Sequence, residues 1–186
     1  FFAEMLPVSI VDVMQFVDQR VGYSAKLDSI TPKALKSSQN PVLNMAVVLA
    51  NAIRAGSRKM AENSDLNLSE LLSAEAAYVR PESLQLLADT VNNATAALPI
   101  FKVWNIQDVI HGSFDGSKFE VMIKNIMART SPKYFHDGTG VSAFSLIASF
   151  LPLGVVLIGA HEYEGHYGFD LFYHGNKTNI QPIRQS

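Results

Sequence analysis

Apolar and polar positions follow helical spacing over most of the first two thirds of the chain. Within residues 7–21 the valines, Met14 and Phe16 recur every three or four positions, while Asp12 and Asp18 fall on the other side. Residues 42–55 are almost wholly apolar, with only a narrow polar stripe. The pattern therefore predicts an amphipathic first helix and a buried, central second helix.

Helix start signals punctuate the same region. Asn40-Pro41 combines an N-cap residue with a proline suited to the first helical position. Residues 67–70, Asn-Leu-Ser-Glu, have capping-box spacing and predict a short helix that stops before Pro81, which begins the next helix. Residues 117–120, Ser-Lys-Phe-Glu, repeat the spacing and predict a further helix that runs to about Arg129.

Together these signals predict a mainly α fold, a helical domain of about five to six helices. Residues 1–135 form its helical body. Residues 136–186 hold an apolar segment and a region rich in glycine, aromatic residues and histidine, which is not expected to be an independent domain. A short β-hairpin is compatible with this C-terminal region, because glycine and aromatic residues favour turns and strands.

The apolar segment, residues 141–160, contains no charged residue. As a helix it would span roughly 30 Å, the thickness of a bilayer core. Lysine and arginine precede it and carboxylates follow it, an asymmetry typical of membrane segments. Pro152 and Gly154 leave a second interpretation open, in which a buried helix and a turn are followed by a buried strand, Val155 to Ile158.

The segment predicts either a membrane span or a subunit interface. Its contact side chains would be Phe144, Leu146, Ile147, Phe150, Leu151, Leu153, Val155, Val156, Leu157 and Ile158. The aromatic residues that would sit at the membrane boundary are Tyr163, Tyr167 and Tyr173.

Composition narrows the choice of partners and chemistry. Charged residues make up 17% of the chain and apolar residues 48%, which leaves little charged surface. The net charge of −2 offers no excess of positive charge for phosphates, so nucleic acid is not predicted as a partner. The absence of cysteine excludes disulfides and thiolate chemistry. The chain begins with Phe1, which indicates a processed product or a segment of something longer.

A histidine and carboxylate cluster follows the apolar segment. His161-Glu162-Tyr163-Glu164-Gly165-His166 resembles the HExxH zinc motif, but its histidines are five positions apart and diverge on a helix. On an extended strand, Glu162, Glu164 and His166 would share one face and His161 would lie on the other. The face with the two carboxylates could hold a divalent cation, with Asp170 or His174 reaching it from a turn, and His161 is the fourth candidate ligand. The more ordinary interpretation is a polar loop or hairpin.

Two further glycine-rich stretches carry histidine and aspartate. His136-Asp137-Gly138 precedes the apolar segment, and His111-Gly112-Ser113 stands just before Asp115-Gly116. Both are typical of turns or loops, an interpretation that we prefer over a catalytic one. No P-loop, G-x-G-x-x-G or G-x-S-x-G motif occurs.

These observations favour a non-enzymatic structural subunit of a larger, oligomeric multi-protein assembly. Its partners would be other protein subunits, with a membrane as a further partner, and it would be membrane-associated or held within a large complex. No cofactor is expected, although a divalent metal is compatible with the chain. The first alternative is a metal-dependent hydrolase that uses His161, Glu162, Glu164 and His166. The second is a helical binding module.

Overall fold

A computed structural model describes residues 7–27, 40–104, 111–122 and 125–175 of the chain. The chain divides into two compact units, Phe1–Val91 and Asn92–Ser186. We call them the helical unit and the sheet unit. The division of the chain after residue 135 into a body and a tail stays a prediction.

The helical unit contains α1 (Ile10–Val21), α2 (Pro41–Ala52), α3 (Gly56–Glu62), α4 (Leu68–Tyr78) and the first part of α5 (Pro81–Ala96). A single 3-10 turn, Ser24–Lys26, follows α1. The core of this unit consists of the buried side chains of Leu27, Val47, Leu71, Ala74 and Tyr78. It therefore joins α2 and α4 with the residue that follows the 3-10 turn.

The predicted helix starts in this unit are confirmed. The Asn40 side chain accepts a hydrogen bond from the Val42 N–H at 3.0 Å, and Pro41 is the first residue of α2. The Asn67 side chain accepts one from the Ser69 N–H at 2.8 Å at the start of α4. Each cap satisfies an amide that the helix itself leaves without a partner.

The sheet unit contains β1 (Gly112–Glu120), β2 (Arg129–Thr130), β3 (Thr139–Ala148) and β4 (Leu151–Gly159), all paired antiparallel with β3. A 3-10 helix, Pro99–Trp104, precedes β1, and α6 (Pro132–Phe135) precedes β3. Ser149 and Phe150, with φ angles of 47° and 68°, form the tight turn between β3 and β4. Positive φ at both positions matches the twist of a two-residue hairpin.

Short helical turns follow β4 and cover one face of the sheet. They are a 3-10 turn (Glu164–Tyr167), α7 (Gly168–Asp170) and a π-helical turn (Leu171–Gly175), which we call the helical segment 164–175. The core beneath it consists of Phe101, Phe144, Leu146, Ala148, Leu151, Leu153, Ile158 and Leu171. The opposite face, which we call the open face, carries Ser113, Asp115, Ser117, Phe119, Ser145, Ile147, Val155 and Leu157.

The prediction of a mainly α, helical domain is wrong for the second half of the chain. Residues 117–120, read as a capping box, lie in β1, where Lys118 pairs with Ser142. The capping-box pattern is local, whereas strand pairing depends on a partner more than 20 residues away. Of the helix predicted to reach Arg129, residues 123–124 lie outside the described residues, and Arg129 belongs to β2.

The predictions of a transmembrane helix and of membrane association are also wrong. Residues 141–160 form most of β3, the turn and β4, and no helix in the described ranges is long and apolar enough to cross a bilayer. Residues 155–158 do form a strand within β4, as predicted, but Val155 and Leu157 are exposed and not buried. The helix predicted before them is wrong, because those residues belong to β3. The segment supplies most of the core of the sheet, because alternate side chains of β3 and β4 are buried there.

The predicted contact side chains divide between the two faces of the sheet. Phe144, Leu146, Leu151, Leu153 and Ile158 are buried in the core. Val156 packs against that core, while Ile147, Phe150, Val155 and Leu157 are exposed. Their assignment to a subunit interface stays a prediction.

Candidate functional site

Asp115 lies in the middle of β1 with its side chain on the open face. Its carboxylate Oδ1 accepts a hydrogen bond from the Gly116 N–H at 3.0 Å. The Ser145 hydroxyl, on the paired strand, donates to the Asp115 carbonyl oxygen at 3.1 Å. Aspartate is depleted in strands because it neither packs well nor favours the extended backbone. An exposed carboxylate in the middle of a strand is therefore a candidate functional group.

Strand β1 is an edge strand in the described part of the sheet. Residues 112–120 pair with β3 along their whole length, and the other edge of β1 meets no described strand. The side chains of Ser113 and Ser117 flank Asp115 on the open face, and both are exposed. The carboxylate is therefore exposed on the open face.

Glu164, Lys118 and Ser142 form a polar cluster on the covered face of β1. Glu164 Oε1 accepts hydrogen bonds from Lys118 Nζ at 3.1 Å and from the Ser142 hydroxyl at 2.9 Å. Lys118 Nζ also donates to the Ala160 carbonyl oxygen at 3.2 Å. The Glu164 carboxylate lies directly over Gly116, where a Cβ atom would collide with it. The cluster therefore joins β1 and β3 to the start of the helical segment 164–175.

The electrostatics of this cluster favour the ionised form of Glu164. Burial alone raises the pKa of the carboxyl group. The hydrogen bonds from Ser142 and Lys118, together with the positive charge of Lys118, outweigh burial and bring the pKa of Glu164 below its ordinary value. Glu164 is consequently an anion at neutral pH that is held by two donors.

The four predicted metal ligands are not brought together. The 3-10 turn Glu164–Tyr167 replaces the extended strand on which Glu162, Glu164 and His166 were to share a face. His161 Nε2 lies 3.4 Å from Glu162 Oε1, while His166 packs edge-on against Tyr163. No group of three or more His, Cys, Asp or Glu within the described residues is arranged to hold a metal ion. The assignment of these four residues to a metal stays a prediction without geometric support.

The three tyrosines predicted at a membrane boundary lie around the helical segment instead. Tyr163 and Tyr173 are exposed and line a cavity against the sheet. Tyr167 is half-buried and packs against the sheet core. Their position follows from the covered face of the sheet, which offers the aromatic rings Phe114 and Phe144 as packing partners.

The two glycine-rich stretches have different outcomes. His136-Asp137-Gly138 forms a turn between α6 and β3, which confirms the structural interpretation. The loop preferred for residues 112–116 is wrong, because these residues are in β1. Sequence reasoning therefore missed Asp115. The one available signal was the alternation of Ser113, Asp115 and Ser117, the period-two spacing of a strand face.

Comparisons with known proteins give a coherent result. A family model described as the Tn3 transposase DDE domain matches residues 12–186. The transposase for transposon Tn4556 of Streptomyces fradiae is 23% identical over 172 residues, which cover 91% of this chain and 19% of that protein. The transposase for transposon gamma-delta of Escherichia coli (strain K12) is 22% identical over 149 residues, 76% of this chain and 14% of that protein. No solved structure matches the chain.

These findings correct the functional predictions. A non-enzymatic structural subunit and a metal-dependent hydrolase are both inconsistent with the transposase match. The exclusion of nucleic acid as a partner is wrong for the same reason. The net charge of this chain gave a wrong prediction because the chain spans less than a fifth of the length of these relatives. The net charge of one part of a protein says little about which of its surfaces contact DNA.

Proposed function

We propose a function that follows from family membership: the chain belongs to the Tn3 transposase DDE domain family, and it forms part of an enzyme that cuts and joins DNA strands. The match over residues 12–186 carries this proposal. The chain is much shorter than its curated relatives, so the complete reaction belongs to the longer protein. Among the described residues, we assign to this reaction a scaffold and one chemical group.

Asp115 is the group that we assign to the reaction. The letters DDE stand for two aspartates and one glutamate, and DDE transposase domains use a divalent metal. Carboxylate oxygens are the ligands that hard divalent cations prefer. Asp115 fits this role because its carboxylate is exposed at the middle of a strand and is bound only to the adjacent Gly116 N–H in the described part of the chain.

The described residues do not provide a complete metal site. No three carboxylate or histidine side chains among them converge, so Asp115 is the one ligand that we assign within the described ranges. When bound, a divalent metal of this kind stabilises the charge that develops on phosphate oxygens during strand cleavage. The role of Asp115 is to bind and orient, and the rigid β1 backbone holds its carboxylate in place.

The polar cluster of Glu164, Lys118 and Ser142 supports that role. It lies against β1 on the face opposite to the Asp115 carboxylate and immobilises the backbone at Gly116. Functional groups act efficiently only when their supporting side chains hold them rigidly. A strand that pairs on one side only in the described part of the sheet depends on such support more than an internal strand does.

The test is strand cleavage by the full-length protein that contains this chain, measured on transposon-end DNA with Mg²⁺. We expect Asp115→Asn to reduce cleavage by more than about 100-fold, since even groups that only orient metal ligands contribute about 10–100-fold. Asp137→Asn is the matched control, because it makes the same chemical change at an exposed aspartate in the turn after α6. Cleavage by Asp115→Asn at the rate of the control would contradict the assignment.

A further inference from the structure

A cavity of about 470 Å³ lies within the sheet unit, between the covered face of the sheet and the helical segment 164–175. Its volume falls within the roughly 300–1,000 Å³ that small-molecule sites occupy. Six aromatic side chains line it, namely Phe114, Phe144, Tyr163, Phe169, Phe172 and Tyr173. The cavity is separate from the carboxylate of Asp115, which points to the opposite face of β1.

The aromatic lining has a flat floor and exposed rims. The rings of Phe114 and Phe144 are stacked, with centroids 5.6 Å apart and planes 15° from parallel. Phe169 and Tyr163 are 77% and 71% exposed, far more than an aromatic side chain that only fills a core. Exposed aromatic rings grouped around a concave site are typical of a binding surface. A planar, π-bonded ligand fits this shape best.

Glu164 supplies the polar contact of the cavity. Its Oε1 is engaged by Lys118 and Ser142, while Oε2 has no hydrogen-bond partner among the described residues. An ionised carboxylate only accepts hydrogen bonds, so the ligand has to donate one. The charge of Lys118 balances that of Glu164, which favours an uncharged ring over a phosphate group at this point. The cavity therefore selects for planarity and for an N–H donor.

We propose that this cavity binds one unstacked nucleobase of the DNA substrate, with its face on the aromatic rings and an exocyclic amino group donating to Glu164 Oε2. The proposal rests on the proposed function, because it takes DNA as the substrate. Aromatic side chains bind bases of single-stranded DNA by stacking. Adenine, cytosine and guanine carry an exocyclic amino group, whereas thymine offers one N–H between two carbonyl oxygens that a carboxylate repels.

The test uses the full-length protein and a single-stranded oligonucleotide that contains 2-aminopurine, a fluorescent base with an exocyclic amino group. Stacking in the cavity quenches its fluorescence. We expect Phe169→Ala to weaken this binding by about tenfold and Phe169→Tyr to retain it, because tyrosine keeps the ring. Phe150→Ala is the matched control, since Phe150 is 79% exposed in the turn between β3 and β4 and lies outside the cavity lining.

A second variant tests the hydrogen bond separately from the packing. Glu164→Gln keeps the shape of the side chain but adds an amide donor, so we expect thymine to compete with 2-aminopurine several-fold better than it does in the unsubstituted protein. A change in base preference is a result that a purely structural role of Glu164 would not produce. Unaltered preference in a folded Glu164→Gln protein would overturn the proposed contact.

Three outcomes would overturn the proposal as a whole. Phe169→Ala could bind the probe as tightly as Phe150→Ala does, or an oligonucleotide with an abasic site could bind as tightly as the one with 2-aminopurine. Either result would mean that the cavity does not hold a base of the DNA. In the third outcome, the protein binds the free 2-aminopurine nucleoside but does not quench the fluorescence of 2-aminopurine within the oligonucleotide. That result would exclude DNA as the source of the base.

The design keeps this proposal distinct from the assignment of Asp115. We expect Asp115→Asn to quench the probe normally while it fails to cleave DNA. If Asp115→Asn cleaves DNA but Phe169→Ala still loses the probe, the assignment of Asp115 fails and the base-binding cavity stands. Cleavage and probe binding can be separated because Asp115 lies on the open face of the sheet, whereas Phe169 lines the cavity on the covered face.

Discussion

The helical unit and the sheet unit bury their apolar side chains in different ways. In the helical unit, α2 and α4 enclose a core around Val47 and Leu71. In the sheet unit, the core lies on one face of β3 and β4. The open face, which also carries Asp115, retains exposed Val155 and Leu157. The groups to which we assign chemistry, Asp115 and Glu164, both belong to the sheet unit, and we assign none to the described residues of the helical unit.

The largest expected effects test whether the two cores are independent. Leu71→Ala and Leu153→Ala remove side chains that are both fully buried, one in each unit. Each should lower the free energy of unfolding by about 2–5 kcal/mol, the usual effect of such a cavity. Hydrogen exchange should show Leu71→Ala exposing amides of α2 and α4, and Leu153→Ala exposing those of β3. Equal loss of protection in both units from either variant would break the comparison.

A smaller effect should come from two glycines of the same strand. A Cβ atom at Gly116 would displace the Glu164 carboxylate and break its bonds to Lys118 and Ser142, whereas one at Gly112 would first meet Leu146 Cδ1 at an ordinary 3.4 Å. Gly116→Ala should therefore cost about 1–3 kcal/mol of unfolding free energy. Gly112→Ala, measured by the same chemical denaturation, should cost far less.

DNA strand cleavage gives a second comparison of the Gly116→Ala and Gly112→Ala variants. The polar cluster supports β1 beneath Asp115, so Gly116→Ala should reduce Mg²⁺-dependent cleavage under conditions in which the protein remains folded. Gly112→Ala should cleave normally. If the two variants cleave alike when both are folded, the cluster stabilises the sheet without positioning Asp115.

Loss of the helix cap at Asn67 should lower the free energy of unfolding by less than the core substitutions do. Asn67→Ala leaves the Ser69 N–H without its partner at the start of α4, which costs about 1 kcal/mol. Asn67→Asp should retain the cap, because aspartate accepts the same hydrogen bond. Thermal unfolding measures the difference. Equal melting temperatures for the Ala and Asp variants would show that α4 is held by packing alone.

The same contrast explains what the sequence could reveal. Caps at Asn40 and Asn67 are local signals between neighbouring residues, so the helices of the first unit were predictable from spacing alone. The pairing of Lys118 with Ser142 is not local, and the same Ser-Lys-Phe-Glu letters that mark a helix start also fit a strand. The uncharged run of residues 141–160 indicated burial correctly, but it could not distinguish lipid from a sheet core.

The candidate site was harder to predict than the fold, for a related reason. Histidines 161 and 166 drew attention because their residue types are common ligands, yet the backbone turns them apart. Asp115 carried no motif of its own, and only the strand shows that its side chain is exposed on a sheet face. Glu164 was singled out as a metal ligand, whereas its contacts are with Lys118, Ser142 and the backbone at Gly116.

The smallest expected effect is the pH dependence contributed by Glu164. Its pKa is lowered in the folded chain, so its stabilising contribution is complete above the unfolded value of about 4.5 and is lost as pH falls through the folded pKa. Because the side chain is partly exposed, this contribution should be below about 1 kcal/mol. The difference in unfolding free energy between the unsubstituted chain and Glu164→Gln should therefore shrink below about pH 4.5.

Replacing Lys118 by methionine is the control for this measurement. Without the ammonium group, burial of Glu164 is opposed by the Ser142 hydroxyl alone, so the pH dependence should become weaker or change sign. Unfolding by urea at several pH values between 3 and 7 gives both comparisons, and all other carboxylates cancel in the difference between variants. A difference that grows as pH falls in the unsubstituted chain would mean that burial dominates, and the cluster would then destabilise the charged form that we infer it holds.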